Sequence, residues 1–156
     1  MRLLALTFIV FLTFIDYLSK NLVKEYLKND YYEWSDYIAF HILYNKGIAF
    51  SFFNSESLLI NTTITIIISL IILFIFYLFI KDFNKFIKIE LLGYMLILGG
   101  AIGNLLDRIS NGSVLDFIIL NYNQTYFPAV FNFADVFISF GAFLLIYAYI
   151  FISKYD

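Results

Sequence analysis

Four long apolar runs decide what this chain can become. They cover Leu3 to about Leu18, Leu58 to Ile80, Leu91 to about Leu106, and Val136 to Ile152. A membrane-spanning helix needs roughly 20 apolar residues. The run at 58–80 reaches that length cleanly, whereas those at 3–18, 91–106 and 136–152 reach it only with their polar ends included. Those ends are therefore expected to be buried in protein rather than turned to lipid. Composition points the same way. Of 156 residues, 62% are hydrophobic and 14% charged, against about 45–50% and 25% in soluble domains. The fold class that follows is an all-α membrane protein with four transmembrane helices.

The only large segment outside these runs is residues 21–57. Its pieces "YIAFHILYN" and "GIAFSFF", β-branched and aromatic around "NKG", read as short strands with a turn. A small β-containing segment between helices 1 and 2 is thus expected. Arg2 and the greasy run after it resemble a signal peptide, but "FIDYLSK" follows directly with no small-x-small cleavage site, so a retained anchor is expected. No Pro/Gly-rich linker divides the chain, and residues 1–156 read as one domain. The short basic loop "KDFNKFIK" favours a cytoplasmic position for its side of the membrane. Lysines and arginines are otherwise balanced, with Arg2, Lys81, Lys85, Lys88 and Lys154 on one side and Lys20, Lys24, Lys28, Lys46 and Arg108 on the other.

Much chemistry is excluded early. The net charge of −2 without a basic stripe argues against nucleic acid as a partner. With no cysteine, disulfides, thiol nucleophiles and Cys-based zinc sites are impossible. His41 is the only histidine, which argues against a zinc hydrolase; it reads as a satisfied, partly buried residue. No metal or other cofactor is expected. What remains for catalysis is Asp, Glu, Lys, Ser and Tyr.

Parity then gathers the polar residues. With four alternating spans, the end of the first, the start of the second, the end of the third and the start of the fourth share one side. Asp16, Lys20, Asn45, Asn104, Asp107, Arg108, Asp116, Asn132 and Asp135 therefore collect on one face. Each also has a structural explanation. Asp16 and Lys20 form an i,i+4 pair at a helix end. Gly100, Gly103, Asn104 and Asp107 lie along one stripe that suits close helix packing. Asp107 and Arg108 can pair or anchor at the interface. Asn132 and Asp135 fit a capping box before an apolar helix. The twenty Phe and thirteen Tyr read mainly as lipid-facing and interfacial belt residues. Asp116 fits no cap pattern, and "VLDFIIL" around it reads as a strand or a short interfacial helix.

Two carboxylates at close range share a proton and titrate as a pair. One can then activate water while the other polarises a scissile carbonyl, as in aspartic proteases, without histidine, cysteine or metal. Asp116 and Asp135 flank one connection and suit that role, with Asp107 a third candidate by spacing. A small proton-coupled transporter or channel is the alternative, since aspartates also serve as proton relays. A non-catalytic scaffold is a third reading. Against transport, the aspartates cluster at one end of the bundle, and no internal repeat or pair of broken helices is visible.

Five blocks in order, "DYLSK" (Asp16 to Lys20), "NKGIAFS" (Asn45 to Ser51), "GGAIGNLLDR" (Gly99 to Arg108), "VLDF" (Val114 to Phe117) and "FNFAD" (Phe131 to Asp135), resemble the bacterial lipoprotein signal peptidases, signal peptidase II. The resemblance covers essentially the whole chain. It implies a membrane-embedded aspartyl endopeptidase that removes signal peptides from prolipoproteins just before a diacylglyceryl-modified cysteine. By motif, the catalytic pair would be Asp116 and Asp135. Asn104 and Arg108 would line or support the site, Asn132 would orient the dyad, and Asn45 and Gly47 would approach the lipidated substrate. Asp16 and Lys20 would be scaffold. The resemblance further implies a place in the bacterial cytoplasmic (inner) membrane, crossed several times, with both termini cytoplasmic and the site facing outward beneath an extracytoplasmic segment at 21–57. It implies sensitivity to globomycin-type inhibitors, contact with membrane lipid and a monomeric state.

Overall fold

A computed structural model describes residues 1–27, 31–47, 57–122 and 125–152. Its four helices are α1 (Arg2–Tyr26), α2 (Leu58–Asp82), α3 (Lys88–Asn111) and α4 (Phe133–Phe151). All four are long and apolar enough to cross a membrane. The apolar runs predict the helices, but all four extend past the run at a polar end, α2 only by Lys81 and Asp82. α1 continues eight residues beyond Leu18 to Tyr26, and α3 continues through Asp107 and Arg108 to Asn111. α4 begins at Phe133, before the Val136 where its apolar run starts. The physical reason is that Asp16, Lys20 and Arg108 are buried against neighbouring elements, so the helix need not end where lipid would end it.

α3 is the central helix, with α1, α2 and α4 all packed on it. Small residues make this closeness possible. A Cβ on Gly100 would collide with the Ala134 carbonyl oxygen of α4. Between α1 and α3, the Thr13 hydroxyl donates to the Gly99 carbonyl at 2.9 Å. The interior at the far end of the bundle is apolar: Phe79 is fully buried, with Phe83 edge-on at 5.4 Å and Phe86 stacked on Tyr94 at 4.5 Å. Some aromatics therefore build core rather than a lipid-facing belt.

Four antiparallel strands cover the polar end, β1 (Tyr31–Ser35), β2 (Ile38–Asn45), β3 (Val114–Tyr122) and β4 (Thr125–Phe131), in the order β1-β2-β3-β4. The expected strand in "YIAFHILYN" is β2, and the segment holding Asp116 is the strand β3, not a short helix. Half of the sheet comes from the α3–α4 connection, so the β-structure is not confined to the segment between helices 1 and 2. The strand expected in "GIAFSFF" falls on residues 48–53, outside the described residues, as do Lys28 and Lys154. β4 is hard to read from sequence because Pro128 lacks an N–H, and proline is tolerated only at a sheet edge, which β4 occupies. His41 lies half-buried on β2, 6.3 Å from the Tyr31 ring.

Gly112 turns the chain from α3 into β3. Its φ of 70° is left-handed and its N–H returns to the Arg108 carbonyl, a helix ending that favours glycine. The two glycines separate cleanly in a test. Gly112→Ala meets nothing within 4 Å and should lose about 1 kcal/mol for its backbone conformation. Gly100→Ala must push a backbone carbonyl away and should lose about 2–3 kcal/mol. Unfolding of the purified variants in detergent measures both, with Gly100→Ala the more damaging.

Candidate active site

The site starts at the first turn of α4. Asn132 is the N-cap, and its Oδ1 accepts the Asp135 N–H at 2.9 Å. Asp135 Oδ2 in return accepts the Asn132 N–H at 3.2 Å. The capping box expected from the sequence thus forms. The Ala134 N–H, another donor exposed by the helix start, reaches across to Asp16 Oδ1 on α1 at 2.9 Å.

Asn132 does more than cap. Because its oxygen is committed to a backbone donor, its nitrogen must point the other way. There it donates to Asp116 Oδ1 at 2.7 Å and lies 3.1 Å from Asn104 Oδ1. Asp116 reaches this point through the pairing of β2 with β3. Leu43 lies opposite Asp116 in that ladder, which makes Asn45 its diagonal neighbour on the same face. Asn45 Nδ2 donates to Asp116 Oδ2 at 3.1 Å. The fourth carboxylate oxygen, Asp135 Oδ1, accepts from Asn104 Nδ2 at 2.9 Å. Three asparagines from β2, α3 and the α4 cap thus hold two aspartates from a strand and a helix.

Behind the asparagines lies an ionic cluster. Lys20 Nζ sits 2.6 Å from Asp16 Oδ2, 2.9 Å from Asp107 Oδ2 and 2.9 Å from Asn104 Oδ1. Lys20 is only 2% exposed and Asp16 fully buried. Such a pair is tolerable when its remaining groups are satisfied. Asp107 also accepts the Leu115 N–H at 3.2 Å, which anchors the start of β3. Of the readings open to Asp107, a pair with its neighbour Arg108 or an interface anchor among them, the structure shows a pair with Lys20 instead, its side chain turned inward along the same stripe as Asn104. Arg108 instead donates to the carbonyls of Lys46 and Gly47, tying the end of α3 to the chain beyond β2. Gly103 makes room for this: a Cβ there would lie 2.6 Å from Asp16 Oδ2.

Asp116 and Asp135 border a cavity of about 780 Å³, which Asn45, Asn104 and Arg108 also line. Its other walls are largely apolar, from Ile68 on α2 and Val136, Ile138, Phe140 and Phe143 on α4, with Ser139 as a polar exception. Asp116 is 3% exposed. Burial, and secondarily the charge of Asp135, push its carboxyl up to about 7, against the hydrogen bonds from Asn45 and Asn132. A carboxyl that holds a proton near neutrality beside a second carboxylate has the equipment for acid–base chemistry. Among the described residues no group of His, Asp or Glu is arranged to hold a metal ion.

The chain is similar to known proteins over nearly its whole length. The family profile described as signal peptidase (SPase) II matches residues 8–151. The chain belongs to the signal peptidase II family. Within it, the lipoprotein signal peptidase of Clostridium tetani is 45% identical over 78% of this chain and 72% of its own length. That of Aquifex aeolicus is 39% identical over 88% of this chain and 80% of its own. A solved bacterial membrane enzyme at 1.9 Å resolution superposes with a TM-score of 0.75 at 26% identity, covering 95% of this chain and 93% of that one. A second, at 2.3 Å, has a TM-score of 0.74 at 29% identity, covering 92% and 85%.

All nine residues singled out in the sequence (Asp16, Lys20, Asn45, Gly47, Asn104, Arg108, Asp116, Asn132, Asp135) meet at this end of the signal peptidase II fold. The residue that sequence reasoning undervalued is Asp107. Its position four after Gly103 and three after Asn104 was the available signal, but nothing local identifies Lys20 as its partner.

The raised Asp116 carboxyl has a consequence for stability. In the unfolded chain it titrates near the ordinary value of 3.8, and in the folded protein near 7. Between these the folded state binds more protons, so stability falls as pH rises from about 4 to about 7. Unfolding in detergent should show that slope in the wild type, and Asp116→Asn, which cannot ionise, should flatten it.

Proposed function

We propose that this member of the signal peptidase II family uses Asp116 and Asp135 as an aspartyl dyad to remove signal peptides from diacylglyceryl-modified prolipoproteins, cutting just before the lipidated cysteine. The observation that carries this reading is the pair of carboxylates bridged by Asn132 in the wall of a largely apolar cavity. Asp135 takes a proton from a water placed between the carboxylates, and the oxygen attacks the scissile carbonyl carbon. Asp116 gives its proton to the carbonyl oxygen, forming a gem-diol. Collapse returns a gem-diol proton to Asp116, breaks the C–N bond and moves the proton from Asp135 to the leaving amine. The dyad ends as it began.

The placement suits a substrate that never leaves the bilayer. α2 packs chiefly on α3, and the cavity wall formed by Ile68 with Phe140 and Phe143 offers an apolar route from lipid for a signal helix and acyl chains. The peptide near the cysteine passes beside Asn45 and the Lys46–Gly47 chain that Arg108 holds. Both termini are cytoplasmic and the dyad faces outward, supported by the lysines at 81, 85 and 88 near the opposite end of the bundle. Residues 1–156 act as one domain, and a monomer suffices, since both carboxylates come from one chain. Globomycin-type cyclic peptides are the expected inhibitors. A proton-coupled transporter would call for carboxylates near mid-bilayer, whereas these lie at one end of the helices.

Cleavage of a diacylglyceryl-modified prolipoprotein by purified enzyme in lipid tests the reading. Asp116→Asn and Asp135→Asn should each cut at least about 10³-fold more slowly, as loss of a general acid or base predicts. Chelators should leave the wild type unaffected. Near-normal turnover by either folded variant would remove the dyad from the mechanism.

A further inference from the structure

The two aspartates are not held alike, and the difference runs through Lys20. An ammonium has three donors and no acceptor, and Lys20 directs them to Asp16, Asp107 and Asn104. Its hold on the Asn104 oxygen, the shorter and charged one beside a bond from the Asn132 amide at 3.1 Å, sets which way that amide points. The oxygen must face Lys20, so the nitrogen must face Asp135, where it donates at 2.9 Å. Without the ammonium the Asn104 oxygen keeps only the longer bond from the Asn132 amide, which also serves Asp116, and a half-turn that offers the oxygen to Asp135 becomes accessible. That arrangement is satisfied only by a protonated Asp135. Asp135 has further support as an anion from the start of α4, where the helix dipole and the Asn132 N–H favour negative charge. Asp116 lies on a strand and has no helix terminus behind it.

We propose that Lys20 is a positioning residue that assigns the two roles within the dyad: through Asn104 it holds Asp135 as the ionised base, which leaves the shared proton on Asp116. The proposal rests on the dyad reading above and goes beyond a scaffold role for Lys20. The charged groups around Asp135 are Lys20 and Asp16 from α1, Asp107 and Arg108 from α3, and Asp116 from β3; among the residues lining the cavity α2 contributes only the apolar Ile68. Of the two cations, Arg108 is engaged with the carbonyls of Lys46 and Gly47. Lys20 alone has a hydrogen-bonded path to Asp135 through Asn104.

The test is the pH profile of kcat/KM for the full chain in lipid, with a diacylglyceryl-modified prolipoprotein as substrate. Activity is lost on the acidic limb as the base takes up a proton. Lys20→Met should move that limb to higher pH by about one unit, a typical effect of losing a charge-supported hydrogen bond, and activity should return to within a few fold at higher pH. A merely structural role would lower activity equally at every pH. Asn104→Leu should reproduce the shift, and Lys20→Met added to it should shift nothing more. Should the single Lys20 variant fail to fold, Asp16→Asn with Lys20→Met removes both charges and keeps an acceptor for the Ala134 N–H. An unmoved limb, or additive shifts from Lys20 and Asn104, would overturn the proposal while Asp116→Asn and Asp135→Asn stay inactive. Cleavage surviving in an aspartate variant would overturn the dyad itself.

Discussion

A buried ammonium needs acceptors on every side, and that requirement at Lys20 organises the polar end of this protein. Asp16 reaches it from one turn earlier on α1, and Asp107 and Asn104 reach it from α3. Asp16 is in turn bound to the first turn of α4, and Asp107 to the first residues of β3. One cation thus fixes three helices and a strand in relation to each other. Removing Lys20 would leave the buried Asp16 and its neighbour Asp107 without their cation in a low-dielectric interior, where the cost is several kcal/mol. The glycines of α3 follow from the same demand, because Gly103 leaves the space Asp16 occupies.

Two carboxylates come together here only because other groups oblige them to. Like charges repel, and a strand aspartate and a helix-cap aspartate have no reason to approach. Asn132 supplies the bridge, having both a backbone donor to satisfy and an amide to spare. The arrangement stands at the boundary between apolar helices and a small sheet, where a peptidase must wait for a substrate anchored by a helix and acyl chains. Apolar walls around the carboxylates raise the strength of every interaction between them and keep Asp116 able to carry a proton near neutral pH.

Much of this was legible without coordinates. Apolar runs predict four helices because the hydrocarbon core demands length and polarity in a readable pattern, and parity alone brings nine polar residues to one side. The Asn132–Asp135 box is local, spans one helical turn and is visible as such. β2 announces itself through β-branched and aromatic residues, whereas the segment that becomes β3 reads equally as a strand or a short interfacial helix. What escaped detection was non-local. β4 hides behind Pro128, the sheet joins two distant connections, and Asp107 turns from its neighbour Arg108 to a lysine on another helix.

By itself the sequence determined the membrane class, the number of spans, the side on which the polar residues gather, and the chemistry left open by one histidine and no cysteine. Those are consequences of composition and order. Only the tertiary structure decided which groups meet: that Lys20 answers Asp107, that Arg108 holds the chain after β2, and that Asn132 stands between the aspartates. Hydrogen bonds and ion pairs act over about 3 Å, and no one-dimensional pattern carries a distance of that scale between residues far apart in the chain. Packing of α1 and α4 on the small-residue face of α3 supplies it.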